Sequence, residues 1–575
     1  MSIPKKRLFS FLVAITFLFS FLTGCHRGTS DVEQAYNTEL LTSRLTSLWE
    51  NISADQSLVF PEEEITLFLS LCDRTNQAEV LHVTEPDLKT AWESASSEAY
   101  SLVSKKSFSP IWVKADIIVK KGSFPLSAVK QDLKQSPDYF YRLGFALDSN
   151  MEIAFLEAEC NANGLYDYEN NEISTKAIKQ YSGKRVSIPD ELTMFVTQGY
   201  FCGTDNVTHK LSVDEDSFGI RNLVMSKETA TGIVSISAMY LQSQMNEDGS
   251  FRYGAHVNSG KDIPGYNALR HWGAVLAMIK AYELSPNDDL AKDIDRSINY
   301  ALINFVAYRD DDTAFIIEPS TDEIKIGGGA LAVITLTSYA ETFESDRHDG
   351  LLRCLGNGIL AMGDPSTGTY QHIWTSSYEP KTEFRTVYYD GEATLALCKL
   401  YEHDPNMSYL VMAQAAADRF IAENYIQYRD HWVALAMNEL TKIVPAEKYY
   451  AFALENIQYS LDVIIEQPTA YSTYTELLMA GYNTYSRIIN TGAEVGYLDR
   501  FDEEKFYQAI EARLDKGISS FGLPEVVMYF EHPIESYGCF FVRHDEFRSR
   551  IDDIQHFACG YAEYAKSVSL DSIAH

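Results

Sequence analysis

Asp390-Gly-Glu-Ala-Thr-Leu-Ala-Leu-Cys-Lys-Leu-Tyr-Glu402 is the stretch on which the fold turns. Small and apolar side chains lie on every face of it rather than on one stripe, the pattern of a helix surrounded by protein. The preceding segment 350–362 is amphipathic and carries scattered charge, so the two read as an outer helix followed by a buried inner one.

The same pairing repeats along the C-terminal half. Amphipathic outer helices are expected at 228–244, 289–308, 350–362, 408–425, 446–465 and 502–521. Each precedes a stretch rich in Gly, Ala, Leu and aromatics, at 266–283, 327–343, 390–402, 430–440, 471–488 and 552–566. Six hairpins in series either close into a ring or extend as an open superhelical solenoid. In a ring, the openings of the inner helices gather in one funnel. Those openings are rich in charged, histidine and aromatic residues.

The hairpin number, the linker Gln244-Met-Asn-Glu-Asp-Gly-Ser-Phe251 and the opening Tyr389-Asp-Gly-Glu-Ala393 together resemble the six-hairpin (α/α)6 toroid superfamily, over residues 220–575. That resemblance implies a mainly α fold with the toroid at the C-terminus. It includes many glycosidases, and also lyases, epimerases, peptide-modifying cyclases and terpene cyclases, so fold alone does not choose the chemistry. No catalytic signature of a single glycosidase family is present, and no catalytic residue is transferred. The zinc of the peptide-modifying cyclases has no matching Cys-His-Gly context here.

The N-terminus carries Lys5, Lys6 and Arg7, an apolar run from Leu8 to Leu22, and Leu22-Thr-Gly-Cys25. These describe a secretory signal, and the run falls short of the ~20 residues of a spanning helix. Its ending resembles a bacterial lipobox, which implies that residues 1–25 end at a lipidated Cys25. The expected location is the bacterial cell envelope, outside the cytoplasm, with acyl chains in the membrane.

The 575 residues exceed one core, so two globular domains are expected. Against 48 Lys and Arg stand 81 Asp and Glu, a net charge of −33. That balance disfavours nucleic acid as a partner and counts against a polyuronate unless the funnel is locally basic. Beyond Cys25 there are seven cysteines without CxxC spacing. The pairs Cys160–Cys202 and Cys539–Cys559 are open possibilities, and Cys354 and Cys398 read as core residues.

Residues 26–107 read as a helical lead-in, with helices at 32–52, 61–71 and 87–104. Residues 108–215 read as a small α+β domain, with strands at 111–119 and 139–147, a stretch at 152–160 that suits strand or helix, and Asn-rich turns.

Five openings carry candidate chemistry. Arg270 and His271 follow Tyr266, about 100° apart on a helix, a hydroxyl clamp and a proton shuttle unless His271 is core. Arg385, Tyr388, Tyr389, Asp390 and Glu392 combine acids with aromatics able to stack on sugar faces, although first-turn acids also suit capping and the helix dipole. Asp430, His431 and Trp432 repeat the theme. Glu476 lies a turn inside its helix, where burial demands a partner. Arg550, Asp552, Asp553 and His556 offer i,i+4 and i,i+3 acid–histidine pairs on one face. A metal there would need ligands from another opening, such as His271 or Asp390; no metal or cofactor is expected. Gly327-Gly328-Gly329 lacks the Lys-Ser/Thr of a phosphate loop and reads as a close-packing site.

The function expected is binding and processing of a carbohydrate by hydrolysis between two carboxylates, one from Asp390 or Glu392 and one from Asp552 or Asp553. Arg270, His271, Arg385 and His556 would orient and polarise, while Tyr389 and Trp432 stack. The alternatives are a non-catalytic glycan-binding or envelope-assembly lipoprotein and a uronate lyase or epimerase.

Overall fold

A computed structural model describes residues 28–60, 64–136, 138–214, 216–381 and 385–567. In chain order the N-terminal part runs α1 (Gly28–Ala54), β1 (Ile65–Cys72), β2 (Glu79–Glu85), α2 (Leu88–Lys106), β3 (Trp112–Pro125), α3 (Leu126–Gln135), β4 (Gly144–Ala146), β5 (Ala154–Phe155), α4 (Glu157–Ala162), β6 (Tyr166–Asp167), β7 (Glu172–Ile173), α5 (Thr175–Ser182), β8 (Glu191–Cys202) and β9 (Thr208–Lys210). Seven strands form one antiparallel sheet of order β2-β1-β3-β8-β4-β5, with β9 beside β8. Its spine is the long β3–β8 pairing, from Val113 opposite Cys202 to Pro125 opposite Glu191.

Alternation along β1 sorts side chains between two cores. Leu67, Leu69 and Leu71 meet Leu41, Leu45, Leu48 and Ile52 of α1 and Ala91, Ala95 and Ala99 of α2. Phe68 and Cys72 turn to the other face and join the core of the C-terminal domain. With both faces covered, Ile65-Thr-Leu-Phe-Leu-Ser-Leu-Cys72 is buried throughout and shows no polar alternation. The expected helix at 61–71 is therefore a strand from Ile65 in its described part, and β1 and β2 belong to the same sheet as β3 and β8 rather than to a separate helical lead-in. The ambiguous stretch 152–160 divides into β5 and α4, and 139–147 contributes strand only at β4.

The C-terminal helices are α6 (Lys227–Ser243), α7 (Ala268–Leu284), α8 (Asp288–Asn304), α9 (Ile326–Phe343), α10 (Asp349–Ala361), α11 (Val387–His403), α12 (Met407–Ala422), α13 (His431–Ile443), α14 (Glu447–Glu466), α15 (Ser472–Thr491), α16 (Glu503–Ile518), the short α17 (Pro524–Val527) and α18 (Pro533–Ser536), and α19 (Ile551–Ser567). α7, α9, α11, α13, α15 and α19 each pack on the next, and α19 returns to α7, so the ring is closed. α6, α8, α10, α12, α14 and α16 lie outside. Outer α8 buries one stripe, Leu290, Ile294, Ser297, Ile298 and Ala301. Inner α9 is buried without a break from Ile326 to Ala340. The (α/α)6 toroid preceded by an α+β domain is the fold that the resemblance implied, and the closed ring excludes the open solenoid.

Ring and sheet share a polar seam. Arg221 donates Nε and Nη2 to the two oxygens of Glu525 at 2.8 and 2.7 Å, and Ser70 and Tyr529 share a hydrogen bond at 2.9 Å. The seven cysteines described are all free thiols, and the two possible pairs do not form. No described helix is long and apolar enough to cross a membrane. Cys25 lies outside the described residues.

Candidate functional site

The inner helices run parallel, so their N-termini meet at one end, and close approaches tie neighbours together there. A Cβ on Gly391 of α11 would fall 2.7 Å from the Val433 nitrogen of α13, and one on Gly327 of α9 would fall 2.3 Å from Glu392 Oε2 and 2.6 Å from the Tyr389 ring. At Gly391 the obstacle is the α13 backbone, so glycine is required; at Gly327 a side chain would have to displace Glu392 and Tyr389. Six helix N-termini, each with partial positive charge, therefore point into one funnel.

Three side chains from three inner helices converge on its floor. His556 Nδ1 of α19 lies 2.6 Å from Glu476 Oε2 of α15. His431 Nε2 of α13 lies 3.7 Å from the same oxygen. The imidazoles stand edge to face with centroids 4.9 Å apart, and Trp432 packs against both. His431 and Glu476 are 3 % and 4 % exposed, and His431 Nε2 has no hydrogen-bond partner. Burial opposes charge on His556, but the Glu476 carboxylate outweighs it and raises the imidazole's pKa. Burial raises Glu476, against the opposing pull of His556. The pair thus holds a proton. Burial and then the neighbouring His556 hold His431 well below the ordinary 6.5. One carboxylate stands between a neutral histidine and a proton-holding one.

A second pair of acids adjoins this floor. Asp430 caps α13 by accepting from the Trp432 amide at 2.9 Å, leaving Oδ2 without a partner. Glu392 Oε2 is likewise unpartnered. Burial pushes both well above the usual carboxylate range, with Asp430 adding to it at Glu392, and Asp390 adding to it at Asp430 against the opposing Trp432 amide.

Asp390 does not join them. It is 1 % exposed and accepts from Arg385 Nη2 at 3.1 Å, Arg419 Nη1 at 3.4 Å, Tyr425 Oη at 2.9 Å and His372 Nε2 at 3.2 Å. The Thr386 amide donates to His372 Nδ1 at 2.9 Å, which fixes the ring with its hydrogen on Nε2. A cavity of about 450 Å³ opens beside this cluster, lined by His372, Lys381, Arg385 and Arg419. Asp553 is held by Arg550 through Nε–Oδ2 at 3.0 Å and Nη2–Oδ1 at 2.8 Å. Of the acids expected to supply the hydrolytic pair, Asp390 or Glu392 with Asp552 or Asp553, Asp390 and Asp553 are thus each locked to guanidinium.

The remaining candidates fall into place around these groups. His271 is core: its Nε2 donates to the Ser297 carbonyl at 3.0 Å, so its Nδ1 accepts from Tyr266 at 2.5 Å, and burial lowers it to about 4. It faces α8, away from the funnel. Arg270 does reach the opening. Its guanidinium stacks 4.7 Å over Tyr253, with Nε 3.8 Å from Asp552 Oδ2, and Arg550 Nη2 lies 3.3 Å from that oxygen. Neither Asp552 nor Asp553 pairs with His556, because Arg550 draws them off and Glu476 takes the imidazole. Tyr389 packs beside His372. Tyr388, 44 % exposed, and Tyr471 stand at the lip, Tyr388 with its ring 6.1 Å from His431.

The glutamate–histidine bridge joins residues 80 apart on different helices, which no local spacing signals. His372, Arg419 and Tyr425, which hold Asp390, come from a loop and the region of an outer helix; His372 in Tyr370-Gln-His-Ile-Trp374 stands alone in the sequence.

No family model matches the chain, and no curated protein matches it. Solved structures do. A D-mannose isomerase aligns over 60% of this chain and 98% of its own, at 11% identity and TM-score 0.47. The cellobiose 2-epimerase of Bacillus thermoamylovorans B4167 aligns over 59% and 100%, at 12% and 0.45. A GH76 α-mannanase of Bacteroides thetaiotaomicron aligns over 60% and 97%, at 9% and 0.41. The toroid itself is established by the packing of its own six inner helices.

Proposed function

We propose that the funnel processes a carbohydrate by histidine acid–base chemistry: proton removal beside the carbonyl of a reducing sugar, giving an epimer or the aldose–ketose isomer. The observation that carries this is one carboxylate, Glu476, between two histidines whose proton affinities are pushed apart. Such a split assigns roles. Neutral His431 takes the C2 proton, and His556, loaded through Glu476, returns one to C2 from the other face or to C1. The charge that develops on the enediolate oxygen is favoured by Arg270 and by the converging helix N-termini. Tyr388 and Tyr471 give the sugar ring a face to stack on. Sugar isomerase, epimerase and mannanase activities among the structural neighbours agree with a carbohydrate ligand.

Glycoside hydrolysis is the second reading, favoured by Glu392, a buried acid whose raised pKa suits proton donation to a leaving oxygen. Incubation with reducing mono- and disaccharides, followed by chromatography, separates the two. An epimer or ketose that disappears in His431→Ala and His556→Ala supports proton transfer. Cleaved disaccharide from both variants at wild-type rate overturns it in favour of hydrolysis. Sugar binding without product favours the glycan-binding alternative.

The same proposal puts the protein in the cell envelope, anchored through Cys25. Palmitate labelling in a bacterial host should be lost in Cys25→Ala; labelling that persists contradicts the anchor.

A further inference from the structure

We infer that the funnel floor is also a binding site for a borderline divalent transition metal, zinc being the best fit, with His431 Nε2, Glu476 Oε2 and His556 Nδ1 as its protein ligands. Among the described residues these ligand atoms all lie within 4.8 Å of one another. They come from three separate inner helices, so the packing of the ring holds them together rather than a flexible loop. Two imidazole nitrogens and one carboxylate oxygen are the donor set of open zinc sites, with a fourth position left for water or a ligand.

The two separations to the shared carboxylate need modest adjustment. Zinc–ligand distances of about 2.0–2.2 Å in a tetrahedron separate neighbouring ligand atoms by about 3.3–3.5 Å. His431 Nε2 and Glu476 Oε2 are 3.7 Å apart, and His556 Nδ1 and Glu476 Oε2 are 2.6 Å apart. The first gap closes slightly and the second opens by less than ~1 Å. His431 Nε2 is the independent pointer: a buried ring nitrogen without a hydrogen-bond partner, on the side of the ring that faces the shared carboxylate. Hard cations such as magnesium, which prefer all-oxygen shells, fit this set poorly.

On binding, the metal takes the lone pairs of Nδ1 and Oε2, and the hydrogen between them leaves to solvent. The three side chains then cannot move protons, so metal and proton transfer exclude one another. This makes zinc an inhibitor under the proposed sugar chemistry; the binding itself does not rest on that chemistry.

The test is calorimetric titration of chelator-stripped protein with zinc chloride, repeated with cobalt chloride to read the visible absorption of the coordinated ion. One zinc per chain is expected, weakened at least ~100-fold in His431→Gln and in Glu476→Gln, and unchanged in His403→Ala at the far end of α11. Circular dichroism confirms that the variants are folded; His556→Gln replaces either one that is not. Zinc binding by a protein whose chelator-stripped form turns over no sugar leaves the site standing and removes the proposed activity. No binding at one equivalent, or binding that survives both His431→Gln and Glu476→Gln, overturns the site.

Discussion

Two sets of buried carboxylates stand at the openings of the inner helices. Asp390 and Asp553 are each bound by arginine, and Asp390 also by Tyr425 and His372. Glu392, Asp430 and Glu476 meet no guanidinium; Glu392 Oε2 and Asp430 Oδ2 have no partner, and Glu476 shares a hydrogen with His556. A buried charge that is fully paired is expensive to disturb and chemically quiet. A buried acid left unpaired stays protonated and is ready to give that proton up. Both sets look alike in sequence, as acids in the first turns of inner helices, and they serve different ends: the first fastens the ring and the second equips its floor.

The sharpest way to break this comparison is to delete one acid from each set. Asp390→Ala leaves the largely buried Arg419 guanidinium without its buried carboxylate, and should cost about 3–5 kcal/mol of stability, read by chemical denaturation. Glu476→Gln should leave the denaturation midpoint close to wild type while sugar turnover falls at least ~100-fold. Reversal of the two outcomes would exchange the roles. Gly327→Ala tests the link between α9 and the unpaired acids. Its Cβ would strike Glu392 and Tyr389, at about 1–3 kcal/mol of overpacking, and the variant should lose stability and turnover together.

The unpaired set also predicts a pH dependence. Burial, then Asp430, raises the folded Glu392 carboxyl above its ordinary 4.5, so the folded state binds the proton more tightly than the unfolded one. The resulting stabilisation is complete below about 4.5 and is lost as pH rises toward the folded value. Glu392→Gln has no such loss, so its stability relative to wild type should increase from pH 5 to pH 9 in thermal melts; a flat difference would mean that Glu392 is ionised throughout. The smallest effect belongs to the lip. Tyr388→Ala and Tyr471→Ala should raise KM several-fold with kcat nearly unchanged, since stacking at the mouth binds substrate and transition state alike.

The six hairpins were legible because inner and outer helices differ in a property that sequence records directly, burial on all faces against burial on one stripe; closure into a ring, which depends on α19 meeting α7 across the whole domain, was not. β1 was not legible for the same physical reason in reverse. Covered on both faces, Ile65–Cys72 lacks the alternation that marks a strand, and Pro61-Glu-Glu-Glu64 before it imitates a helix start. At the site, residue type was readable and partnership was not. His431, Glu476 and His556 stood out as candidates, yet the local i,i+3 and i,i+4 logic paired His556 with Asp552 or Asp553. Arg550, two and three residues from those acids, competes for them better than an imidazole does, because a bidentate guanidinium–carboxylate contact is the stronger interaction. Capping explained one oxygen of Asp430 and Asp390 not at all, since Thr386 occupies the N-cap of α11.

Solvent-deuterium exchange is the most direct test of the central claim that the His431–Glu476–His556 floor moves protons on a sugar. Wild type and the His431→Ala/His556→Ala double variant would be incubated with reducing mono- and disaccharides in D2O and followed by NMR at sugar C1 and C2. The account predicts deuterium at one of those carbons together with an epimer or ketose, in wild type alone. Conversion of sugar without deuterium at either carbon, or conversion undiminished in the double variant, would contradict it.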